Sequence, residues 1–291
     1  MPDSESVVQL DYLVIGHVTR DLVDGAFTIG GTASYSARTA RALGCLVGAV
    51  TSASDDLDLG QALGGVLVAR SPAATTTTFK NIYTSEGRRQ MLLGVAETLV
   101  PGMVPAHWQT GLVHVGPVAQ ECAPALVDAF GDVFLGVTPQ GWMRHWDEAG
   151  YVSCCRWPDA EPWLARADAV VLSEEDVGGD EALLTQYATQ TRVLVVTDGM
   201  NGCTVHVHGH ARHFPAPSVQ EVDPTGAGDV FAAAFFASLQ RTGDLGAAAR
   251  FANCVAARSV ARAGLDGTPT PDEVARCEQE APLRASGPAV G

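Results

Sequence analysis

Asp223–Phe231 reads DPTGAGDVF and runs straight into AAAFFASL, Ala232–Leu239. Pro224 and Thr225 set up a turn, and Gly226 and Gly228 let a ligand come close to the backbone. The unbroken apolar run predicts a buried helix over Ala227–Leu239. The first N–H groups of a helix have no intrahelical partners and carry the positive end of its dipole. Gly226, Ala227 and Gly228 therefore form a cradle suited to a phosphate. Asp229 stands in the first turn beside that cradle. A carboxylate there can take the proton of an attacking hydroxyl, while the amides offset charge on a transferring phosphoryl group. The helix N-terminus is expected to favour its ionised form. A glycine-rich helix start with an N-terminal charge is the plain structural reading. The full seven-residue pattern ahead of a breaker-free helix favours the chemical one.

Outward from this stretch, short apolar runs alternate with helical ones. Leu10–Gly16, Cys45–Thr51, Leu112–Val115, Val133–Val137, Ala169–Leu172 and Val193–Thr197 read as strands. Thr32–Leu43, Leu57–Ala69, Pro162–Ala167, Asp180–Gln190 and Leu245–Ala263 read as helices. Asp21–Ile29 reads as a hairpin, as does Val205–Phe214, which turns at Gly209. Thr75–Leu99 is polar and β-prone, with a Ser-Glu-Gly turn, and predicts a hairpin outside the main core, a lid. The alternation predicts a mostly parallel sheet with helices on both faces, and ligands at the C-terminal ends of its strands. Residues 1–291 are expected to form one domain, with the lid built from about 20–31 and 75–99. The tail from Ala281 reads as loose.

Composition narrows the function. The 291 residues are 46% hydrophobic, enough for a substantial core, and carry a formal charge of −15. Such a surface repels nucleic acid and anionic lipid, so neither is expected as a partner. Lys80 is the only lysine, which leaves no phosphate-loop lysine elsewhere. A polyanionic nucleotide would have to be held by backbone amides, a helix end and a metal ion. The cysteines are scattered and none forms a C-x-x-C pair, which points to reduced thiols and a cytoplasmic location. No apolar run reaches the ~18 residues of a membrane span, and the N-terminus lacks the pattern of a secretion signal. His206, His208 and His210 alternate as metal ligands on a strand can, but the bend at Gly209 speaks against a site.

DPTGAGDVFAAAFF resembles the C-terminal signature of the ribokinase-like, phosphofructokinase-B (PfkB) family of carbohydrate kinases, and the resemblance extends over nearly the whole chain. It implies a three-layer α/β/α sandwich with a small β lid, Asp229 as catalytic base and Gly226, Ala227 and Gly228 as anion hole. Gly30-Gly31 resembles the family's di-glycine motif against the acceptor substrate. Tyr35 stands where the family often has asparagine, which argues against ribose-like recognition. Asp21 resembles the aspartate that binds acceptor hydroxyls, for which a carboxylate's two oxygens are suited. VLVVTDGMNGCTV, Val193–Val205, resembles the nucleotide-binding strand and turn, and places Thr197, Gly199 and Gly202 along ATP, with Thr225. Asn253 and Gly264, in and after a late helix, are further nucleotide candidates.

LSEEDV, Leu172–Val177, resembles the N-x-x-E motif that organises Mg²⁺. Ser173 replaces the asparagine and Asp176 the glutamate, with Glu175 as the other candidate ligand; Mg²⁺ commonly binds through waters. TPQGWMRHWD, Thr138–Asp147, resembles the V-D-x-Q…R stretch of inositol-kinase-like members, with Thr138 or Pro139 where the aspartate would stand. Gln140 and Arg144 become substrate contacts, as do Arg88 and Arg89 of the lid.

The resulting expectation is an ATP- and Mg²⁺-dependent kinase acting on a hydroxyl of a small molecule, a sugar or polyol and possibly an inositol. A nucleoside kinase of the same fold and a non-catalytic nucleotide- or sugar-binding relative are the rival readings. A dinucleotide-binding dehydrogenase lacks its G-x-G-x-x-G, and a P-loop kinase lacks its G-x-x-x-x-G-K-[ST]. A monomer and a lid-mediated homodimer are both compatible with the resemblance.

Overall fold

A computed structural model of the chain describes residues 6–23, 25–84 and 87–283. The predicted Ser-Glu-Gly turn falls largely outside them, as do the side chain of Arg88 and most of the C-terminal tail.

The short apolar runs form a nine-stranded sheet. From one edge to the other its strands are His210–Phe214, Cys203–Val207, Leu194–Thr197, Ala169–Ser173, Phe134–Val137, Leu112–Val115, Tyr12–Ile15, Val47–Ala53 and Leu67–Pro72. Pairing is parallel from Leu194–Thr197 to Leu67–Pro72, and antiparallel in the hairpin at the other edge. Central strands such as Tyr12–Ile15 and Leu112–Val115 are buried at every position, as strands covered on both faces must be.

Two separate cores do the covering. Helices Thr32–Ala42, Ala227–Thr242 and Leu245–Ser259 pack on one face through Ala33, Phe235 and Phe251. Helices Ala160–Arg166 and Glu181–Gln190 pack on the other through Trp163, Leu164 and Leu183. This is the three-layer α/β/α arrangement expected. Helix Ala227–Thr242 is apolar all round because it is buried all round, from Val230 to Phe236. It lies so close to the sheet that the Phe236 ring occupies the place of a side chain at Gly136.

A second sheet of four strands stands apart, in the order Ala26–Gly30, Thr19–Val23, Thr78–Thr84, Gly87–Gly94. The two hairpins join through the parallel pairing of Arg20–Leu22 with Thr78–Lys80. Its inner residues Thr19, Asp21, Phe79 and Gln90 face the C-terminal ends of the central strands.

The helix expected over Leu57–Ala69 is not there. Helix Leu59–Leu63 stops after five residues, and Leu67–Pro72 is the edge strand beside Val47–Ala53. Gly64 and Gly65 break the helix, Gly65 with φ +78°. A final helix, Pro271–Glu280, was not anticipated. Its signal is a T-x-x-E capping box: Thr270 accepts from the Glu273 N–H and Glu273 accepts from the Thr270 N–H. Among the described residues no helix is long and apolar enough to cross a membrane.

Candidate active site

A cleft of about 720 Å³ opens where the small sheet overhangs the strand ends. It brings together most of the residues singled out in the sequence. Asp21, Gly31, Tyr35, Gln140 and Arg144 line it, with Glu175, Asp176, Thr197, Gly199 and Thr225–Asp229.

The signature turn is held by its first aspartate. Asp223 accepts from the N–H of Thr225 at 2.9 Å and of Gly264 at 2.8 Å. Gly226 then takes φ +79°, and the Tyr35 ring lies where any side chain at 226 would stand. A β-carbon there would meet both backbone strain and the ring, so glycine is required. The Ala227 N–H closes the turn onto the Pro224 carbonyl at 3.1 Å. This corrects the cradle read from the sequence. Ala227 shapes it but donates inward, while the amides of Gly226, Gly228 and Asp229 have no partner among the described residues. The space around Gly228 is open.

Asp229 is half-buried at the mouth of helix Ala227–Thr242. Loss of solvent pushes its pKa up to about 6, a rise opposed by a hydrogen bond from the Thr32 hydroxyl and the charge of Arg144, and assisted by Asp176. Burial outweighs the helix end that the sequence reading expected to keep the group acidic. At neutral pH the carboxylate is still mostly ionised, and it is basic enough to take a proton.

Under the small sheet, Asp21 is buried and its Oδ2 fills the space a side chain on Gly30 would need. Gly30 thus serves Asp21 from behind the cleft wall. Gly31, at φ +88°, opens helix Thr32–Ala42, which delivers Thr32 and Tyr35. Arg144 donates to the Val118 carbonyl at 3.1 Å and lies over the Phe79 ring, 5.4 Å from its centre.

At the other end, Ser173 and Asp176 form a capping box, in which Asp176 Oδ2 accepts from the Ser173 N–H at 2.8 Å. Among the described residues Asp176 Oδ1 meets only the Gln140 amide, at 3.4 Å, and it faces the cleft with Glu174 and Glu175. Among the described residues, seven carboxylates line this cleft (Asp21, Glu174, Glu175, Asp176, Asp198, Asp223 and Asp229) against one arginine and no lysine. A polyphosphate would enter such a field only with a cation. Among the described residues no cluster of three or more His, Cys, Asp or Glu could cage a metal. The donor set suits Mg²⁺ that keeps its waters and is shared with phosphate oxygens. Asp176 and Glu175 are the side chains that would hold it.

Some sequence candidates lie elsewhere. Asn253 is buried and donates to the Phe214 carbonyl at 2.8 Å, tying its helix to the edge hairpin. Gly202 takes φ +103° against the Phe214 backbone and closes the Asp198–Gly202 turn from behind. Gly264 is occupied with Asp223. Arg89 is exposed and stacks on Tyr151, 4.7 Å from the ring centre. The alternating histidines split across the edge hairpin, His206 facing Ala211 and His210 facing Val207. Among the cleft residues without a sequence signal of their own are Thr32, hidden in an alanine-rich helix, and Met200, a loop side chain 83% exposed.

Known proteins resemble this chain in sequence and in fold. Residues 160–272 match the model of the pfkB family carbohydrate kinases. A fructokinase of Klebsiella pneumoniae is 40% identical over 88 residues, 28% of this chain and 29% of that one. A cytidine kinase of Thermococcus kodakarensis is 29% identical over 254 residues, 80% and 89% of the two chains. The alignments span about a third of the length of the first curated relatives. Among solved structures, a pyrophosphate-dependent myo-inositol-1 kinase converted by mutation into a myo-inositol-3 kinase superposes with a TM-score of 0.78 at 19% identity, covering 92% and 99% of the two chains. An Arabidopsis thaliana ribokinase complexed with ribose and ATP gives 0.71 at 17%, covering 96% and 100%.

Proposed function

We propose that this chain is a kinase of the pfkB carbohydrate kinase family, whose model matches residues 160–272, and that it transfers the γ-phosphoryl group of ATP to a hydroxyl of a sugar or polyol. One observation carries the reading: a half-buried carboxylate, its proton affinity raised by burial, stands beside amides that have no partner among the described residues. Asp229 takes the proton of the attacking hydroxyl. The amides of Gly226, Gly228 and Asp229 meet the charge on the phosphoryl oxygens. Asp21 and Arg144 orient the acceptor beneath the small sheet. Thr197, Gly199 and Thr225 line the donor end, with Mg²⁺ held through Asp176 and Glu175. That ion supplies the positive charge that the acidic cleft lacks.

Tyr35 closes the space over Gly226 where a small asparagine would leave it open, which favours a polyol or cyclitol over ribose. The cytidine kinase relative keeps a nucleoside acceptor in the test. The assay follows ADP release with D-fructose, D-ribose, myo-inositol and cytidine, and repeats with pyrophosphate as donor. One acceptor is expected to be turned over with Mg-ATP, and Asp229→Asn to lower that turnover by about 10²-fold or more. Near-normal turnover in Asp229→Asn would remove this residue from the mechanism. Binding of the acceptors without turnover by any donor would favour the non-catalytic reading.

A further inference from the structure

Strand Leu112–Val115 runs through the centre of the sheet and carries one polar side chain, His114, which is fully buried. Its ring packs edge-on against Phe236, with centroids 5.0 Å apart. Burial pushes its pKa down to about 3, so it is neutral at any working pH and carries one ring hydrogen. Nδ1 lies 2.8 Å from the Tyr12 hydroxyl, and Nε2 lies 2.9 Å from Thr138 Oγ1.

Counting hydrogens decides where that one sits. Tyr12 is fully buried, and His114 is the hydroxyl's only hydrogen-bond partner among the described residues. With the ring hydrogen on Nδ1, the phenol would accept it, and its own hydrogen would be buried with no acceptor. That arrangement costs about 1–3 kcal/mol. With the hydrogen on Nε2, the phenol donates to Nδ1 and Nε2 donates to Thr138. Both buried groups are then satisfied. The Thr138 oxygen accepts, so its own hydrogen must be donated elsewhere. No other partner of this hydroxyl exists among the described residues, and its side chain forms part of the cleft wall.

We propose that the chain Tyr12–His114–Thr138 fixes Thr138 as a hydrogen-bond donor into the cleft, where it binds an oxygen of the bound substrate, either a hydroxyl of the acceptor or a phosphoryl oxygen. The position suits either source. Thr138 and Thr32 flank the same residue, Gly116, and Thr32 holds Asp229. Thr138 therefore donates from the same stretch of cleft wall as the residue that holds the base. A carboxylate in its place, as in the V-D-x-Q pattern, could only accept. Tyr12 and His114 are positioning residues that never touch the substrate. The nature of the bound oxygen rests on the kinase reading, whereas the direction of the hydrogen does not.

The test has two parts. ¹⁵N–¹H spectroscopy of the imidazoles in the unliganded chain is expected to show His114 neutral and Nε2-protonated down to pH 5, with that signature lost or mixed in Tyr12→Phe. An Nδ1-protonated ring, or one titrating at the usual histidine pH, would overturn the relay. Steady-state kinetics with Mg-ATP and the acceptor turned over should then show Thr138→Val raising one KM, or lowering kcat, by about tenfold. Thr138→Ser restores it, and Tyr12→Phe falls between. A rise confined to the acceptor KM identifies the acceptor hydroxyl, and an effect on donor KM or kcat the phosphoryl oxygen. No change in any of these for a folded Thr138→Val would overturn the contact. If the wild type turns over none of the acceptors, the kinase reading fails, while the tautomer still passes or fails the relay.

Discussion

The two aspartates that bracket the signature, Asp223 and Asp229, stand six residues apart and have opposite surroundings. Asp223 accepts from two backbone amides and fastens the turn to the segment after helix Leu245–Ser259. The carboxylate of Asp229 receives one side-chain hydrogen bond among the described residues, from Thr32, and is stripped of enough water to bring its pKa to about 6. A carboxylate engaged by amides is a fastener, because its lone pairs are spent on holding structure. One left short of donors and solvent is a base, because it gains by taking a proton. Both roles come from one residue type within one turn.

The contrast is broken most forcefully by exchanging which carboxylate is removed. Asp229→Asn should lower turnover by about 10²-fold or more, with the fold intact by circular dichroism. Asp223→Ala should instead cost about 1–3 kcal/mol of stability by leaving two amides without an acceptor. Its surviving activity should keep the wild-type pH dependence. If Asp223→Ala abolished chemistry with an unchanged melting temperature, the fastener assignment would be wrong.

Gly226→Ala probes the turn between them. A β-carbon at φ +79° would press into the Tyr35 ring. Strain of about 1–2 kcal/mol and a displaced cradle are expected, read as a lower melting temperature and a raised donor KM. A wild-type donor KM would show that the cradle tolerates movement.

The smallest effect concerns stability alone. The folded-state pKa of Asp229 is raised above 3.8, so the native state binds its proton more tightly than the unfolded chain does. Stability from this group is therefore present at low pH and is lost as pH rises through about 6. At pH 7.5 Asp229→Asn should melt higher than wild type, by of order 1 kcal/mol after allowance for partial exposure. The gap should close as pH falls toward 4. A mutant that melts lower at pH 7.5 would mean that Asp229 stabilises the fold.

The parts of the molecule legible in the sequence are those where one local pattern decides the structure. Buried strands such as Leu112–Val115 and Ala169–Ser173 announce themselves as apolar runs, and the signature announces both turn and helix. The helix expected over Leu57–Ala69 takes in the first three residues of edge strand Leu67–Pro72, because the apolar run Leu67–Ala69 has no period of two to read. Helix Pro271–Glu280 was overlooked although Thr270 and Glu273 mark its start. Asn253 and Gly202 looked like nucleotide contacts because sequence order cannot show on which side of a turn a residue ends. Both serve the backbone of Phe214 instead. Ala227 looked like part of the anion cradle because a free amide cannot be told from an engaged one without the Pro224 carbonyl in view. The raised pKa of Asp229 comes from burial in the assembled cleft, tempered by residues as distant as Thr32 and Arg144, so no local pattern carries it.

The most direct test of the central claim is the pH dependence of kcat/KM for wild type set against that of Asp229→Asn with the same acceptor and Mg-ATP. Comparing the two separates Asp229 from any ionisation of the donor phosphate. Wild-type kcat/KM should fall about tenfold per pH unit below about 6 and level off above it, because only the ionised carboxylate accepts a proton. The residual rate of Asp229→Asn should lack that inflection. An inflection that survives in the mutant, or a wild-type profile that stays flat from pH 5 to pH 7, would contradict the assignment of Asp229 as the base.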